Sequence, residues 1–162
     1  MPFISKDDIK ENLFDSLRGN PQNSRGSRRG RTPVGKLLEL RTSRQLGGAA
    51  MNLLWRLAAD CPSAVLEANF RSQSDYERQR VTELCQQPVE VYCRVPPDLA
   101  ARRYTERGAR ADRHPVHVVR SITADALAQF QEPFNLGPVL EVDTTAPVDV
   151  DALAAQVQSA FR

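Results

Sequence analysis

The sequence predicts an α/β fold built on a parallel sheet, and three observations predict it. Short apolar runs of strand length alternate with longer stretches whose apolar residues recur at helical spacing. Strands separated by helices favour parallel pairing with both faces covered. The chain has 162 residues, 41% of them hydrophobic, which suffices for one domain with a sizeable core.

Taken in order, Phe3-Ile4 reads as the end of a strand. Ser5 can cap the helix that follows over 6–18, and Asp7 and Asp8 suit its positive end. Ile9, Leu13, Phe14 and Leu17 keep helical spacing until Gly19 and Pro21 stop it. Residues 19–34 read as a basic loop carrying Arg25, Arg28, Arg29 and Arg31. A helical pattern covers about 33–61, with Gly47-Gly48 as a kink or break. Residues 64–70 form a buried strand, and 73–86 a helix capped by Ser72 or Ser74. A second full strand spans 89–95, and Pro96-Pro97-Asp98 opens the next helix. A polar loop at 108–118, a weaker helix near 122–131, a strand at 139–144 and an amphipathic helix at 148–161 complete the chain. Right-handed crossovers would bring Ser5 to Asp8, Glu67 to Asn69, Arg94 to Pro97 and Asp143 to Thr145 to one sheet edge, where such folds bind ligands.

Composition narrows the class. With 22 Lys+Arg against 20 Asp+Glu and 26% charged residues, wholesale disorder is disfavoured. No run approaches 18 apolar residues, and Met1 to Asp8 lacks the pattern of a secretory signal. Cys61, Cys85 and Cys93, odd in number and widely spaced, fit the reduced thiols of a cytoplasmic protein. The basic residues are three Lys (Lys6, Lys10, Lys36) and 19 Arg, a bias that a GC-rich genome explains and that phosphate binding would also use.

Phe3-Ile4-Ser5-Lys6-Asp7-Asp8-Ile9-Lys10-Glu11, Val65-Leu66-Glu67-Ala68-Asn69-Phe70, Val89-Glu90-Val91-Tyr92-Cys93, Arg103-Tyr104-Thr105-Glu106-Arg107 and Arg113-His114-Pro115-Val116-His117 stand in a telling order. Together they resemble the small P-loop kinases grouped with AAA-family ATPases. These are relatives of the nucleoside-monophosphate kinases that include zeta-toxin-like, chloramphenicol phosphotransferase-like and polynucleotide kinase-like enzymes. The resemblance covers about residues 2–118 well and the remainder loosely. It implies a three-layer P-loop NTPase fold in one domain over 1–162, with the first β-loop-α unit missing. In such a topology the missing strand lies between the strand of Leu66 and the strand of Val91. Those two strands would then either present open edges or pair directly.

The family's phosphate loop, G-x-x-x-x-G-K-[ST], follows an apolar strand. Gly30-Arg31-Thr32-Pro33-Val34-Gly35-Lys36-Leu37 copies the glycines and lysine. It ends in Leu37 and follows Arg28-Arg29, so it reads as a loop entering a helix.

The resemblance assigns roles to individual residues. Asp7 would accept or orient the acceptor hydroxyl, with Lys10 contacting the acceptor. From spacing alone, Asp7 and Asp8 fit equally a capped helix with two N-terminal acids. Glu67 would support Mg²⁺ in the Walker B role, although a strand-end carboxylate paired with an arginine is the plain alternative. Arg103 and Arg107, one helical turn apart, and Arg110 and Arg113 in the loop would form a lid that clamps ATP phosphates. A solvated basic face fits the same spacing. Val116 stands where the related lid segment usually has glycine. Thr144 and Thr145 would lie near the adenine, and strand-to-helix turn chemistry explains them as well. His114 and His117 have H-x-x-H spacing but no neighbouring ligands in sequence to complete a metal site.

The implied function is ATP- and Mg²⁺-dependent phosphoryl transfer to a small-molecule or nucleic-acid hydroxyl. Little turnover is expected from these residues alone, because the phosphate cradle is lacking. The alternative is a non-catalytic module gripping nucleic acid through Arg25 to Arg31, for which no interleaved aromatic offers base stacking.

Overall fold

A computed structural model describes residues 1–18 and 33–161; the side chains of Arg18 and of residues 33–36 are outside the description. The basic loop with Arg25, Arg28, Arg29 and Arg31 therefore lies outside the described residues, as do Gly30 to Thr32 of the lysine-glycine run. Residues 33–36 of that run form the first turn of a helix.

The order of elements is β1 (Phe3–Ser5), α1 (Lys6–Arg18), α2 (Pro33–Ala59), β2 (Val65–Glu67), α3 (Asp75–Leu84), β3 (Glu90–Arg94), α4 (Pro97–Ala109), α5 (Ala124–Leu127), a 3₁₀ turn (Ala128–Phe130), β4 (Val139–Asp143) and α6 (Val150–Ala160). The chain divides into two compact units, one of Met1–Ala68 with Ala109–Arg120, the other of Asn69–Gly108 with Ser121–Arg162.

In the first unit β1 and β2 pair in parallel, with Phe3, Ile4 and Ser5 opposite Val65, Leu66 and Glu67. Helix α2 runs unbroken through Gly47-Gly48. Of the kink or break expected there, the break does not occur. Two glycines cost about 1 kcal/mol each in a helix, and packing offsets this. Leu46, Ala50, Leu54 and Ala58 form a buried stripe along α2, with Trp55 and Leu54 almost wholly enclosed. The segment Ala109–Arg120 joins this core through Val116, which is fully buried. It is an anchored strap rather than a purely polar loop. Its apolar anchor stands where the resemblance implied glycine.

In the second unit β3 and β4 pair in parallel from Glu90 opposite Val139 to Arg94 opposite Asp143. Ser74 caps α3 by accepting from the Glu77 amide, settling the choice between Ser72 and Ser74. Glu77 is buried, and both its oxygens are taken by Arg71, through the backbone amide at 2.7 Å and the guanidinium. Gly137 touches the Pro88 carbonyl so closely that any side chain would collide with it. Asn135 holds a left-handed φ of 55°, which asparagine tolerates, and its amide donates to Glu90. Of the buried apolar side chains described, only Phe134 belongs to this unit, where it meets Phe70 at 5.9 Å between ring centroids.

The observed fold is thus mixed α/β with two small parallel sheets, β1–β2 and β3–β4, among the described residues. A direct ladder between β2 and β3, one of the two arrangements expected for those strands, does not form. No described helix is long and apolar enough to cross a membrane.

Candidate active site

The first unit holds Asp7 and Lys10 on α1, Glu67 at the end of β2 and Arg110 and Arg113 on the 109–120 strap, with Lys10 in electrostatic range of Asp7 and Arg113. Ser5 joins two of the elements. Its hydroxyl donates to Glu67 Oε2 at 2.9 Å and accepts from the Asp8 amide at 3.3 Å. It therefore caps α1 and fixes the strand-end carboxylate in one contact. The arginine partner considered for Glu67 is replaced by this serine.

Asp7 stands in the first turn of α1, half-buried, with Lys6 Nζ 2.9 Å from its carboxylate. Burial pushes the Asp7 carboxyl up. The hydrogen bond and charge of Lys6, with the charges of His117 and Lys10, outweigh burial and hold it below the ordinary carboxylate range. Lys10 lies one turn on. It is half-buried and donates to Ser43 Oγ of α2 at 3.0 Å. Burial, then the nearby charges of Lys6 and Arg113, pull its pKa below the usual lysine value despite Asp7 and Glu11. Ser43, itself buried, donates its hydroxyl in turn to the Val116 carbonyl at 2.7 Å.

The strap carries two contacts that spacing did not reveal. His117 Nε2 lies 2.8 Å from Glu11, and His114 Nε2 lies 3.2 Å from Asp15. Phe14 meets the His114 ring edge-on at 5.4 Å. An acid pair at i, i+4 on α1 thus receives a histidine pair at i, i+3. The E-x-x-x-D spacing of Glu11 and Asp15 was the available signal. Among the described residues no cluster of three or more His, Cys, Asp or Glu could hold a metal. Arg110 forks onto Asp112 at 3.0 and 2.7 Å, and both are exposed. A groove of about 400 Å³ lined by Ile4, Ile9, Leu13 and Leu57 follows a different face of α1 from Lys6 and Lys10.

The second unit holds the remaining predicted residues. Arg103 donates to the carbonyl oxygens of Thr144 at 2.7 Å and Thr145 at 3.2 Å. Thr144 in turn donates to the Arg94 carbonyl through its amide and its hydroxyl. The Thr145 amide donates to Asp143 at 2.8 Å, and that bond is the leading reason the exposed Asp143 carboxyl lies below its ordinary range. Arg107 lies 5.4 Å over the Tyr104 ring. Within this unit Arg103 fastens α4 to the turn after β4.

No family model matches the chain, and no curated protein matches it. Among solved structures, it is similar to a protein of Chloroflexus aurantiacus described as a "putative kinase". The likeness extends over 99% of this chain and 81% of that one, at 25% identity and a TM-score of 0.62. The fold is kinase-like.

Proposed function

We propose that the protein belongs to a phosphotransferase acting on a hydroxyl acceptor, with Asp7 as the residue that receives the hydroxyl. The observation that carries this reading is Asp7 itself. It is an ionised, half-buried carboxylate at a strand-to-helix turn, flanked by Lys6 and Lys10, in a chain that is similar along nearly its whole length to the protein described as a "putative kinase". A carboxylate with a depressed pKa is a weak base. Phosphoryl transfer asks for positioning of the nucleophile more than for base strength.

ATP and Mg²⁺ are the donor and ion this chemistry uses. The residues fit them in part. Glu67 offers one oxygen beyond its bond to Ser5, which suits an ion held chiefly by phosphates and water. The ion would neutralise charge on the transferred group. Arg113, close enough to depress Lys10, would face the same charge. Arg103 and Arg110 already donate to partners of their own, so they fit a clamp only if they exchange them. The single G-x-x-x-x-G-K run ends in Leu37 and lacks the hydroxyl that holds Mg²⁺.

The test is ATP-dependent labelling of a panel of alcohols by the natural gene product. Asp7→Asn should lower kcat by about 10²–10⁴-fold, the usual worth of a positioned acid-base group. Wild-type turnover in Asp7→Asn would refute the assignment. The 162-residue chain alone should turn over ATP at background. Robust transfer abolished by Lys36→Ala would instead make Gly30 to Lys36 the phosphate loop.

A further inference from the structure

We propose that the Ala109–Arg120 strap is seated through a proton-sensitive lock: the ring of His114, protonated on Nε2 alone, accepts the Val116 amide at Nδ1, and a second proton on that ring releases the amide. The lock stands on the geometry of the strap and is independent of the phosphotransferase reading.

The tautomer of His114 is fixed by its partners. The Val116 N–H donates to His114 Nδ1 at 3.2 Å. A backbone N–H can only donate, so Nδ1 must offer its lone pair. The ring proton is then on Nε2, which donates to Asp15 Oδ1 at 3.2 Å. Both ring nitrogens are thereby used, with Phe14 edge-on to the ring. Imidazolium has two N–H groups and no acceptor. A second proton therefore sets two donors, Nδ1–H and the Val116 N–H, against each other.

Much hangs on that amide. Val116 is the fully buried anchor of the strap. Its carbonyl accepts from the Ser43 hydroxyl of α2 at 2.7 Å and from the Val118 amide at 3.1 Å. Pro115, between ring and amide, has a fixed φ and no N–H, which leaves the short link little slack. Ser43 in turn accepts from Lys10. Release at Val116 thus reaches the core anchor first and the hydroxyl beside Lys10 next.

His117 behaves in the opposite sense. Its Nε2 lies 2.8 Å from Glu11, and no described residue bonds its Nδ1. A second proton there breaks no bond and turns the contact into an ion pair. The described charges around the two rings come from two elements. On α1 they are Glu11 and Asp15, with Asp7 in electrostatic range of His117. On the strap they are Arg113, whose charge reaches Lys10, and the exposed Arg110–Asp112 fork. Helix α2 meets the strap through the neutral Ser43. The rings lie 6.3 Å apart, so a proton on one opposes a proton on the other. Asp15 favours the His114 imidazolium, and the Val116 amide opposes it. Acid shifts the hold of the strap from the Val116 amide to the two carboxylates of α1. Imidazole suits such a lock because it is the side chain whose charge changes near neutral pH.

The experiment follows the full chain, labelled with ¹⁵N, by NMR from about pH 8 to about pH 5. Long-range ¹H–¹⁵N correlations separate a protonated ring nitrogen from a bare one, and at the upper pH they should show the His114 proton on Nε2. As the His114 ring signals titrate, protection of the Val116 amide against hydrogen exchange, corrected for the intrinsic rate at each pH, should fall about tenfold, the worth of one lost hydrogen bond. The Leu54 amide in the core of α2 should keep its protection. His114→Asn sets an amide oxygen near the place of Nδ1 and does not titrate, so there the Val116 protection should lose its pH dependence. His117→Gln should leave that dependence intact. A proton on Nδ1 at the upper pH, or Val116 protection unchanged through the His114 titration, would overturn the lock. So would a pH dependence that persists in His114→Asn or vanishes in His117→Gln. Should the asparagine variant fail to fold, the tautomer and the exchange of the unaltered chain decide alone.

Discussion

The two units of the chain hold their charges in opposite ways. In the first, a buried apolar stripe on α2 lies under half-buried groups, and Lys10 is left with a neutral partner. In the second, Phe134 is the buried apolar residue among those described, and several charges are satisfied locally, although Ser72 Oγ and Arg80 Nε are buried without a hydrogen-bond partner. Arg71 takes Glu77, Arg103 takes two carbonyls, and Asp143 takes an amide. A satisfied charge is fastening. A desolvated, under-paired charge costs stability and is retained where a ligand repays it. The difference sets the half-buried charges at the start of α1 apart from Arg103, which ties α4 to two backbone carbonyls.

Substitutions can break that comparison. The largest effect should come from Trp55→Ala, which empties the core beneath the first unit and should cost about 3–5 kcal/mol in a urea melt. Ser43→Ala should cost about 1–3 kcal/mol, because it removes a buried bond to the Val116 carbonyl and takes from the half-buried Lys10 ammonium its described hydrogen-bond partner. Arg103→Ala, an exposed tie, should cost under about 1 kcal/mol. A loss for Arg103→Ala as large as that for Trp55→Ala would erase the distinction between the units.

Local order was legible in the sequence wherever the cause was local. Ser5 and Ser74 cap their helices, Pro97 opens α4, and β1, β3 and β4 end within a residue or two of where the apolar runs stop, whereas the buried strand expected over 64–70 is only Val65–Glu67 and is not buried. The continuity of α2 was not legible, because Gly47-Gly48 argues locally for a break while the stripe from Leu46 to Ala58 argues tertiarily against it. Nor was the docking of the strap. Its contacts join residues 99 and 106 apart in sequence, and H-x-x-H spacing carries no sign of which carboxylates will meet it. The role of Arg103 was hidden for the same reason. Two arginines one turn apart look alike in sequence, yet one reaches backbone carbonyls and the other lies over a tyrosine ring. Asp7, Lys10, Glu67, Arg110 and Arg113 fall in the first unit and Arg103, Arg107, Thr144 and Thr145 in the second, a division that the strand-end pattern did not reveal.

The most direct test of the account is the titration of the three lysine Nζ groups by NMR as a function of pH. Lys10 should lose its proton below the ordinary lysine value of about 10.4, since burial and the charges of Lys6 and Arg113 all oppose the ammonium. Its folded-state pKa being depressed, its charge should weaken the fold at neutral pH and cease to do so as the pH rises through that value. A Lys10 midpoint at or above the ordinary value would mean that this ammonium is already satisfied and that the charges at the start of α1 are held no differently from Arg103.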